Sequence, residues 1–243
     1  MRTAVYVDGF NLFHRLLQGR PEFKWLDLIS LASTALKQEN DVVLLRYFTA
    51  RVADTASDPD KATRQDVYLR ALASSGVHIH LGAFRLREKR AKLVTAPTNG
   101  SSPYVTVWAR EEKGSDVNLA VHMTNDAWKN AYDCAVIVSN DSDLAEAARV
   151  VRDMGKVVGI LSPVASPTSA LREHADFVRN IRAAHLSSAQ FPPAIPLVDG
   201  GMIHRPNAWA ASAVATQDAP TPGLSGALLK SADPLPNAFT PTY

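Results

Sequence analysis

The sequence predicts an α/β fold: a doubly wound, mainly parallel sheet followed by a disordered C-terminal tail. Short runs rich in β-branched and aromatic residues alternate with helical patterns from residue 2 to about residue 185. Such alternation is typical of a sheet whose parallel strands are joined by helices. Beyond residue 186 the periodic patterns end, and nine of the chain's 15 prolines fall in residues 187–243.

Six apolar stretches are predicted to be strands, because each is short and rich in residues that favour a pleated backbone. They cover residues 3–8, 42–48, 77–84, 104–108, 134–139 and 157–161. The segments between them repeat apolar residues three and four apart, which is typical of helices that bury one face. These predicted helices cover residues 11–19, 26–38, 61–76, 115–130 and 142–155.

Some of these helix boundaries have a local physical cause. Asp58 and Pro59 offer an N-cap followed by a proline, whose missing N–H is not needed in the first helical turn. Gly76 and Gly155 stand where a left-handed residue commonly ends a helix. The third and fifth helices therefore end at residues that cannot easily continue them.

Composition excludes several classes of protein but identifies no partner. The 243 residues contain 26 Lys and Arg against 24 Asp and Glu, so with a net charge of +2 any basic surface must be local. The single cysteine, Cys134, cannot form an intrachain disulfide or a multi-cysteine zinc site. Asp8 interrupts the N-terminal apolar run too early for a signal sequence or a membrane span. We therefore expect a cytoplasmic protein without a membrane segment.

Three segments are expected along the chain. Residues 1–186 are predicted to form the α/β domain. Residues 187–205 contain apolar anchors such as Phe191 and Ile203, so they are interpreted as an extended arm packed on that domain. Residues 206–243 are rich in Pro and Ala and are interpreted as a disordered tail.

Aspartates directly follow two of the predicted strands. Asp8 ends the first strand, and Asp141 and Asp143 follow the fifth, where a helix begins. Ligands of open α/β sheets bind at the carboxyl ends of the strands, so these positions can converge on one crevice. An N-cap explains one aspartate at that helix start, whereas the second requires another reason.

A fourth acid, Asp116, lies in the first turn of the predicted helix 115–130. Its apolar residues recur at helical spacing, and we expect this stripe to be buried: Val117, Ala120, Val121, Thr124 and Trp128. Asp116 would then border the buried face and point into a pocket.

Four carboxylates brought together would raise one another's pKa values unless a cation were bound. Oxygen ligands alone suit Mg²⁺ or Mn²⁺, ions that also bind substrate phosphates. Such a site polarises a phosphodiester and lowers the pKa of a bound water, which favours metal-assisted phosphoryl chemistry. From spacing alone, separate N-caps and loop acids that share no ligand explain the aspartates equally well.

Three blocks of sequence together resemble the NYN domain, a branch of the PIN-like nuclease superfamily. They are VYVDGFNLFH at residues 5–14, KGSDVNLAVHM at 113–123 and VIVSNDSDLAEAARVVRDMGKVVGIL at 136–161. The resemblance spans about residues 2–182. It implies a PIN-like, Rossmann-like fold with acidic residues around one or two divalent cations, Mg²⁺ or Mn²⁺, and an activity that cleaves RNA.

Carried to this sequence, the resemblance implies a catalytic set of Asp8, Asn11, Asp116, Asp141 and Asp143, in which the four aspartates bind the metal. Asp8 and Asp141 would be direct ligands, whereas Asp116 and Asp143 would complete the site directly or through water. Asn11 would orient Asp8, a water or a phosphate oxygen. Asp143 is expected to serve the helix start while Asp141 faces the crevice.

Substrate contacts are expected near this set. Ser139 and Asn140 are candidates to hydrogen-bond the scissile phosphate, and Phe10 is the candidate for base stacking. The stretch RLREKRAK, residues 85–92, lies between two predicted strands as a phosphate-contacting arm or, equally well, as a solvated hairpin. Its candidate phosphate ligands are Arg85, Arg87, Lys89 and Arg90.

The sequence is compatible with three functions. The first is a metal-dependent endoribonuclease that acts on single-stranded or structured RNA, and the second is a non-catalytic RNA-binding or regulatory module. The third is an NADH-dependent hydroxylase (monooxygenase) of a pyridine ring, as described for some chains with an NYN-like core, although no flavin or nicotinamide motif is visible. The resemblance also leaves a homodimer open.

Overall fold

A computed structural model describes residues 1–95, 97 and 101–210. Its central sheet contains seven strands: β1 (Arg2–Asp8), β2 (Asp41–Ala50), β3 (His78–Lys92), β4 (Tyr104–Lys113), β5 (Cys134–Val138), β6 (Val157–Ser162) and β7 (Phe177–Asn180). Their order is β4-β3-β2-β1-β5-β6-β7, and all neighbours are parallel except β3 and β4. The predicted α/β fold with a mainly parallel sheet is confirmed. Strand β7 is missing from the predicted set because only two of its four residues are apolar.

Seven helices connect or flank these strands: α1 (Gly9–Leu12), α2 (Leu28–Ala35), α3 (Lys61–Ser74), α4 (Ser115–Trp128), α5 (Ala145–Asp153), α6 (Ser169–Glu173) and α7 (Ala183–Ser188). Helix α1 continues as a π-helical turn, Phe13–Leu17. Short 3₁₀ turns lie at Pro21–Phe23, Ser142–Leu144 and Asn207–Trp209, and a small hairpin pairs β8 (Ala194–Pro196) with β9 (Met202–His204).

The sheet changes its direction of growth beside β1. From β1, the chain adds β2 and β3 on one side, whereas β5, β6 and β7 are added on the other. Val7 of β1 pairs with Val138 of β5, so the residues that follow them leave the sheet at the same edge. Such a switch point is where doubly wound folds bind ligands.

Two apolar layers cover the two faces of the sheet. Successive side chains of a strand point to opposite faces, and β1 accordingly contributes Val5 and Val7 to one layer but Ala4 and Tyr6 to the other. The first layer is centred on Trp25, with α2, α3 and α7 around it. The second is formed largely by α4 and α5.

A buried polar cluster joins α4 to the second face. The Arg46 guanidinium donates to both carboxylate oxygens of Asp126, at 2.7 and 3.0 Å, and the Tyr6 hydroxyl donates to Asp126 Oδ2 at 2.9 Å. The side chain of Asp126 is only 5% exposed. Arg46 also approaches His80 Nε2 at 3.1 Å, and the His80 and His122 rings lie 3.9 Å apart.

The predicted buried stripe of α4 is wrong. Val117, Val121 and Trp128 are 66%, 59% and 80% exposed, whereas Leu119 and Met123 are fully buried. Ala120 and Thr124 of the same stripe are half-buried. Both sets satisfy helical spacing, because α4 has apolar residues on two sides, and the side holding Asp126, Leu119 and Met123 faces the sheet.

Strands β3 and β4 extend beyond the predicted strands to form a long antiparallel hairpin. Residues 85–92 belong to β3 itself, and their partners run from Glu111 back to Tyr104 on β4. The segment RLREKRAK is therefore a strand of a hairpin, and its contact with phosphate is a separate prediction. The apolar–polar alternation typical of a strand is not visible here, because both faces of this ribbon are largely exposed and carry charged residues.

The C-terminal arm is held against the Trp25 layer. The Trp25 indole N–H donates to the Pro192 carbonyl at 2.8 Å, and Phe191 and Ile203 are buried. The expectation of a disordered tail from residue 206 is wrong for residues 206–210, because Trp209 ends a 3₁₀ turn and is only 9% exposed. The rest of that predicted tail, residues 211–243, lies outside the described residues.

Among the described helices, none combines the length and the apolar character needed to cross a bilayer.

Candidate metal centre

Three aspartates from distant parts of the chain meet at the switch point. Asp8 is the last residue of β1, Asp141 follows β5, and Asp116 lies in the first turn of α4. One carboxylate oxygen from each lies within 4.8 Å of the others. The fold thus brings together three of the four predicted metal ligands, and Asp143 lies outside this cluster.

Asp8 is fixed by its surroundings. Its side chain is buried, with Oδ1 accepting from the Asn11 backbone N–H at 3.0 Å and Oδ2 accepting from the Ser139 hydroxyl at 2.8 Å. The first bond makes Asp8 the N-cap of α1, which explains why the helix begins at the following residue. Burial raises the pKa of Asp8, these hydrogen bonds oppose the shift, and nearby Asp141 adds to it.

Ser139 connects the two strand-end aspartates. Its hydroxyl donates to Asp8 and accepts from the backbone N–H of Asp141 at 3.1 Å, and the residue is fully buried. This position favours orientation of the carboxylates over the predicted contact with a phosphate. The signal for this role is visible in the sequence, because a small hydroxyl residue stands between an apolar strand and the acid.

Asn11 and Asn140 hold the loops around the cluster. Asn11 Oδ1 accepts from the Asn140 backbone N–H at 3.1 Å, so its side chain supports the β5 loop, and only its backbone contacts Asp8. The Asn140 side chain accepts from the Thr168 backbone N–H at 2.8 Å. These bonds tie the loops after β1, β5 and β6 to one another.

Asp141 has two roles at once. Its Oδ1 accepts from the Asp143 backbone N–H at 3.0 Å, so Asp141 caps the 3₁₀ turn Ser142–Leu144 while it also joins the cluster. The expectation that Asp143 serves as the cap is therefore wrong. Asp143 is exposed, and its charge contributes to the raised pKa of Asp116.

The surroundings of Asp116 strongly raise its pKa. Burial, followed by the charges of Asp8, Asp141 and Glu112, raises its pKa to about 6. Glu112 is a residue that the sequence interpretation misses. Its carboxylate accepts from both the backbone N–H and the hydroxyl of Ser115, at 3.2 and 2.7 Å, and so fixes the start of α4.

This donor set fits a hard divalent cation. Within the described residues, no Lys, Arg or His lies within salt-bridge distance of the three clustered carboxylates, so their mutual repulsion is uncompensated. The donor atoms are all oxygens, as Mg²⁺ and Mn²⁺ prefer, and the cluster has none of the nitrogen or sulfur ligands typical of zinc. Asp8, Asp116 and Asp141 would hold the ion.

A cavity of about 500 Å³ opens directly beside Asp8, since Gly9 and Phe10 form part of its wall. Its aromatic lining is Phe10, Phe13, Tyr47, Tyr68, Phe84 and Trp209. Its basic lining is Lys24, Lys61, Arg64 and Arg110. A Cβ at Gly9 would lie 2.6 Å from the Tyr47 ring, so glycine is required where β1 meets this cavity.

A second cavity, of about 450 Å³, is distinctly basic. It is lined by Arg172, Arg179, Arg182 and His185 together with the loop after β6. That loop is the one whose Thr168 bonds Asn140, the residue before Asp141. Neither cavity is predicted from the sequence, because the lining residues come from several separate segments.

The predicted basic arm is divided between the two faces of the hairpin. Arg87 and Lys89 lie 2.8 and 3.6 Å from Glu111 on one face, and Arg85 is exposed beside them. Arg90 is on the opposite face. Contact of these residues with phosphate stays a prediction.

Comparison with known proteins agrees with this geometry. The family model of the NYN domain matches residues 2–181. One curated relative is 6-hydroxy-3-succinoylpyridine 3-monooxygenase HspA of Pseudomonas putida (strain DSM 28022 / S16). It is 30% identical to this chain over 225 residues, and the match covers 81% of this chain and 72% of the relative.

Among solved structures, a protein of unknown function from Vibrio parahaemolyticus RIMD 2210633 is similar, with 18% identity and a TM-score of 0.49. The match covers 75% of this chain and 93% of that one. The family match extends from β1 through β7, so it includes all three clustered aspartates. The chain therefore belongs to the NYN domain family, a member of the PIN-like nuclease superfamily.

Proposed function

We propose that this protein is a divalent-metal-dependent ribonuclease that hydrolyses RNA phosphodiester bonds at the Asp8, Asp116 and Asp141 cluster. The observation that supports it most is the convergence of these three carboxylates within 4.8 Å, without a basic partner in the described part of the chain. The NYN family supplies the substrate class. We infer that Mg²⁺ or Mn²⁺ is the cofactor.

The cluster residues would hold the ion, and Asp143 would contribute through water. A bound divalent cation polarises the phosphodiester and lowers the pKa of a coordinated water. Hydrolysis joins the water oxygen to phosphorus and breaks the bond to the leaving ribose oxygen. Ser139 fixes Asp8 and Asp141, and Asn11 fixes the loop after β5 that holds Asp141, so both act as positioning residues.

The surroundings favour an anionic polymer as substrate. The two cavities place basic side chains on the β2/α3 side and on the β6/β7 side of the cluster. Burial, followed by the charge of Arg64, lowers the pKa of Lys24, and Asp58 of the same cavity opposes the shift, so the repulsion among the cations is only partly offset. A phosphate-bearing strand would relieve this repulsion.

The direct test is cleavage of a 5′-labelled single-stranded RNA with EDTA, Mg²⁺ or Mn²⁺, resolved on a denaturing gel. We expect cleavage only with metal, and at least about 100-fold slower cleavage by Asp141→Asn, since changes merely next to metal ligands already cost about 10- to 100-fold. Asp41→Asn, at an exposed acid that begins β2, is the matched control and should behave as wild type.

Equal cleavage by Asp141→Asn and wild type would identify a contaminating nuclease and contradict the proposed site. RNA binding with no product under any metal condition would instead support a non-catalytic RNA-binding module.

A second candidate function is hydroxylation of a pyridine ring. It is favoured by the 30% identity to a named pyridine monooxygenase over most of the chain, and by the aromatic, basic cavity beside Asp8, whose chemistry suits a planar ring with a carboxylate. Incubation with NADH, O₂ and 6-hydroxypyridine-3-carboxylate tests it. NADH oxidation in step with a hydroxylated product, unaffected by EDTA, would replace the ribonuclease proposal.

A further inference from the structure

One face of the β3–β4 hairpin combines aromatic and arginine side chains. Antiparallel pairing places Phe84 opposite Glu112, Leu86 opposite Arg110, Glu88 opposite Trp108, Arg90 opposite Thr106 and Lys92 opposite Tyr104, all on the same face. We call Phe84, Leu86, Arg90, Tyr104, Trp108 and Arg110 the aromatic–arginine face. It lies on the hairpin beyond the parallel sheet, and Leu86 on it is 65% exposed.

The side chains of this face are arranged as stacked pairs with an exposed ring between them. The Arg110 guanidinium lies 4.2 Å from the centre of the Phe84 ring, and that of Arg90 lies 4.6 Å from the Tyr104 ring. Trp108, between these pairs, is 67% exposed. An indole with so much free surface offers a flat platform for another ring.

The basic residues of the two hairpin faces differ in their ion pairing. On the opposite face, Glu111 lies within salt-bridge distance of Arg87, Lys89 and Lys113. On the aromatic–arginine face, Arg90 and Arg110 have no carboxylate within 4.0 Å among the described residues. Glu88 and Glu112 also lie on this face, but neither pairs with Arg90 or Arg110, so both guanidinium groups are available to an anionic partner.

The same face is continuous with the candidate metal centre. The Phe84 ring packs edge-on against Phe10 with ring centres 5.5 Å apart, and Phe10 is two residues after Asp8. Phe84 and Arg110 also line the cavity beside Asp8. A chain of nucleotides lying on the hairpin would thus lead into that cavity.

We propose that the aromatic–arginine face binds unpaired nucleotides of a single-stranded nucleic acid, with bases stacked on Trp108 and Tyr104 and phosphates contacted by Arg90 and Arg110. Interleaved aromatic and basic side chains are the general means of holding single strands without reading their sequence. The class of substrate rests on the proposed function, but binding at this face requires neither metal nor cleavage. Arg87 and Lys89, which share the carboxylate of Glu111 on the opposite face, are then secondary.

The test measures binding of fluorescein-labelled U₂₀ RNA to the full chain by anisotropy, in EDTA so that no cleavage intervenes. We expect Trp108→Ala to weaken binding by roughly ten- to hundredfold, the range that loss of one base stack produces. Trp128→Ala is the matched control, because Trp128 is 80% exposed on α4 and should change binding less than twofold. Trp108→Phe, which keeps a stacking ring, should restore most of the affinity.

Further arms separate stacking from simple charge attraction. A matched single-stranded DNA should bind by the same face, whereas a duplex RNA of equal length should bind at least tenfold more weakly, because its bases are already stacked. Arg110→Gln should weaken binding and reduce its salt dependence. At saturating U₂₀, quenching of tryptophan fluorescence should be similar in wild type and Trp128→Ala but clearly smaller in Trp108→Ala, where only Trp209 of the cavity remains near the strand.

Equal affinities of Trp108→Ala and Trp128→Ala, or tighter binding of duplex than of single strands, would overturn this proposal. If the two variants bind RNA equally and RNA is still cleaved, the proposal for the hairpin face is overturned while the ribonuclease proposal stands. Binding that depends on Trp108, without cleavage in any metal, would support binding at this face and overturn the ribonuclease proposal.

Discussion

Replacing Asp116 by asparagine tests the charge balance of the metal centre without relying on catalysis. Burial and neighbouring carboxylates raise the pKa of Asp116 from 3.8 to about 6. A shift of about two units corresponds to about 3 kcal/mol. Because Asp116 is partly exposed and solvent screens it, we expect the ionised carboxylate to cost about 1–2 kcal/mol in the metal-free fold. Asp116→Asn removes this cost.

The expected result is a metal-free variant that melts about 2–8 °C above wild type at pH 8, since 1 kcal/mol corresponds to about 2–4 °C for a domain of this size. The sign follows from the raised pKa: the cost is absent below the unfolded value of 3.8, grows as pH rises, and is complete above about 6. The difference between variant and wild type should therefore vanish near pH 3.5.

Addition of Mn²⁺ should reverse the order of the two proteins. A ligand at 100 times its dissociation constant adds about 2.7 kcal/mol to wild type, whereas the variant lacks one of three ligands and should gain far less. Differential scanning fluorimetry in EDTA and in Mn²⁺ measures both effects, with Asp41→Asn as the control. A metal-free melting temperature equal to or below that of wild type, or an unchanged response to Mn²⁺, would refute the reasoning.

Three further changes probe the surroundings of the centre. Asn11→Ala removes the acceptor of the Asn140 N–H and should lower metal-dependent cleavage about 10- to 100-fold, as measured by initial rates. Asp126→Ala leaves the half-buried Arg46 guanidinium without its carboxylate partner and should cost about 3 kcal/mol in urea unfolding. Burial and the charge of His122 lower the pKa of His80 to about 4, below its ordinary 6.5, so the fold loses stability as pH falls from 6.5 towards 4. Urea unfolding at pH 7.5 and 4.5 should show this loss in wild type and a smaller one in His80→Gln.

The strand-end aspartates could be predicted because their placement depends on local order alone. Asp8 and Asp141 each follow an apolar strand, and parallel strands end at the same edge of a sheet. Asp116 was predictable for a weaker reason, its position at a helix start. The cap could not be assigned, because Asp141 and Asp143 have the same chemistry and only the observed N–H bond distinguishes them.

The buried face of α4 was predicted wrongly because its apolar residues fit helical spacing on two different sides of the helix. Val117, Val121 and Trp128 satisfy helical spacing as well as Leu119 and Met123 do, and nothing local decides which set faces the sheet. The decision comes from tertiary contacts, including the buried pairing of Asp126 with Arg46 from a strand 80 residues away. A single-sequence pattern contains no information about such a partner.

The position of the three aspartates follows from the topology of the sheet, so their position alone does not identify the substrate. Because β1 and β5 are neighbours with Val7 level with Val138, any chain with this strand order places the residues after them side by side. A pair of acids there can hold a cation, but it does not distinguish an RNA strand from a small ring. That distinction must come from the residues around the cluster: the aromatic and basic cavity beside Asp8, and the hairpin face that continues from it through Phe84. A small ring would need the cavity alone, whereas a strand of nucleotides would need both the cavity and the hairpin face. Trp108 lies on that face and does not line the cavity. Dependence of activity on Trp108 therefore separates the two substrate classes.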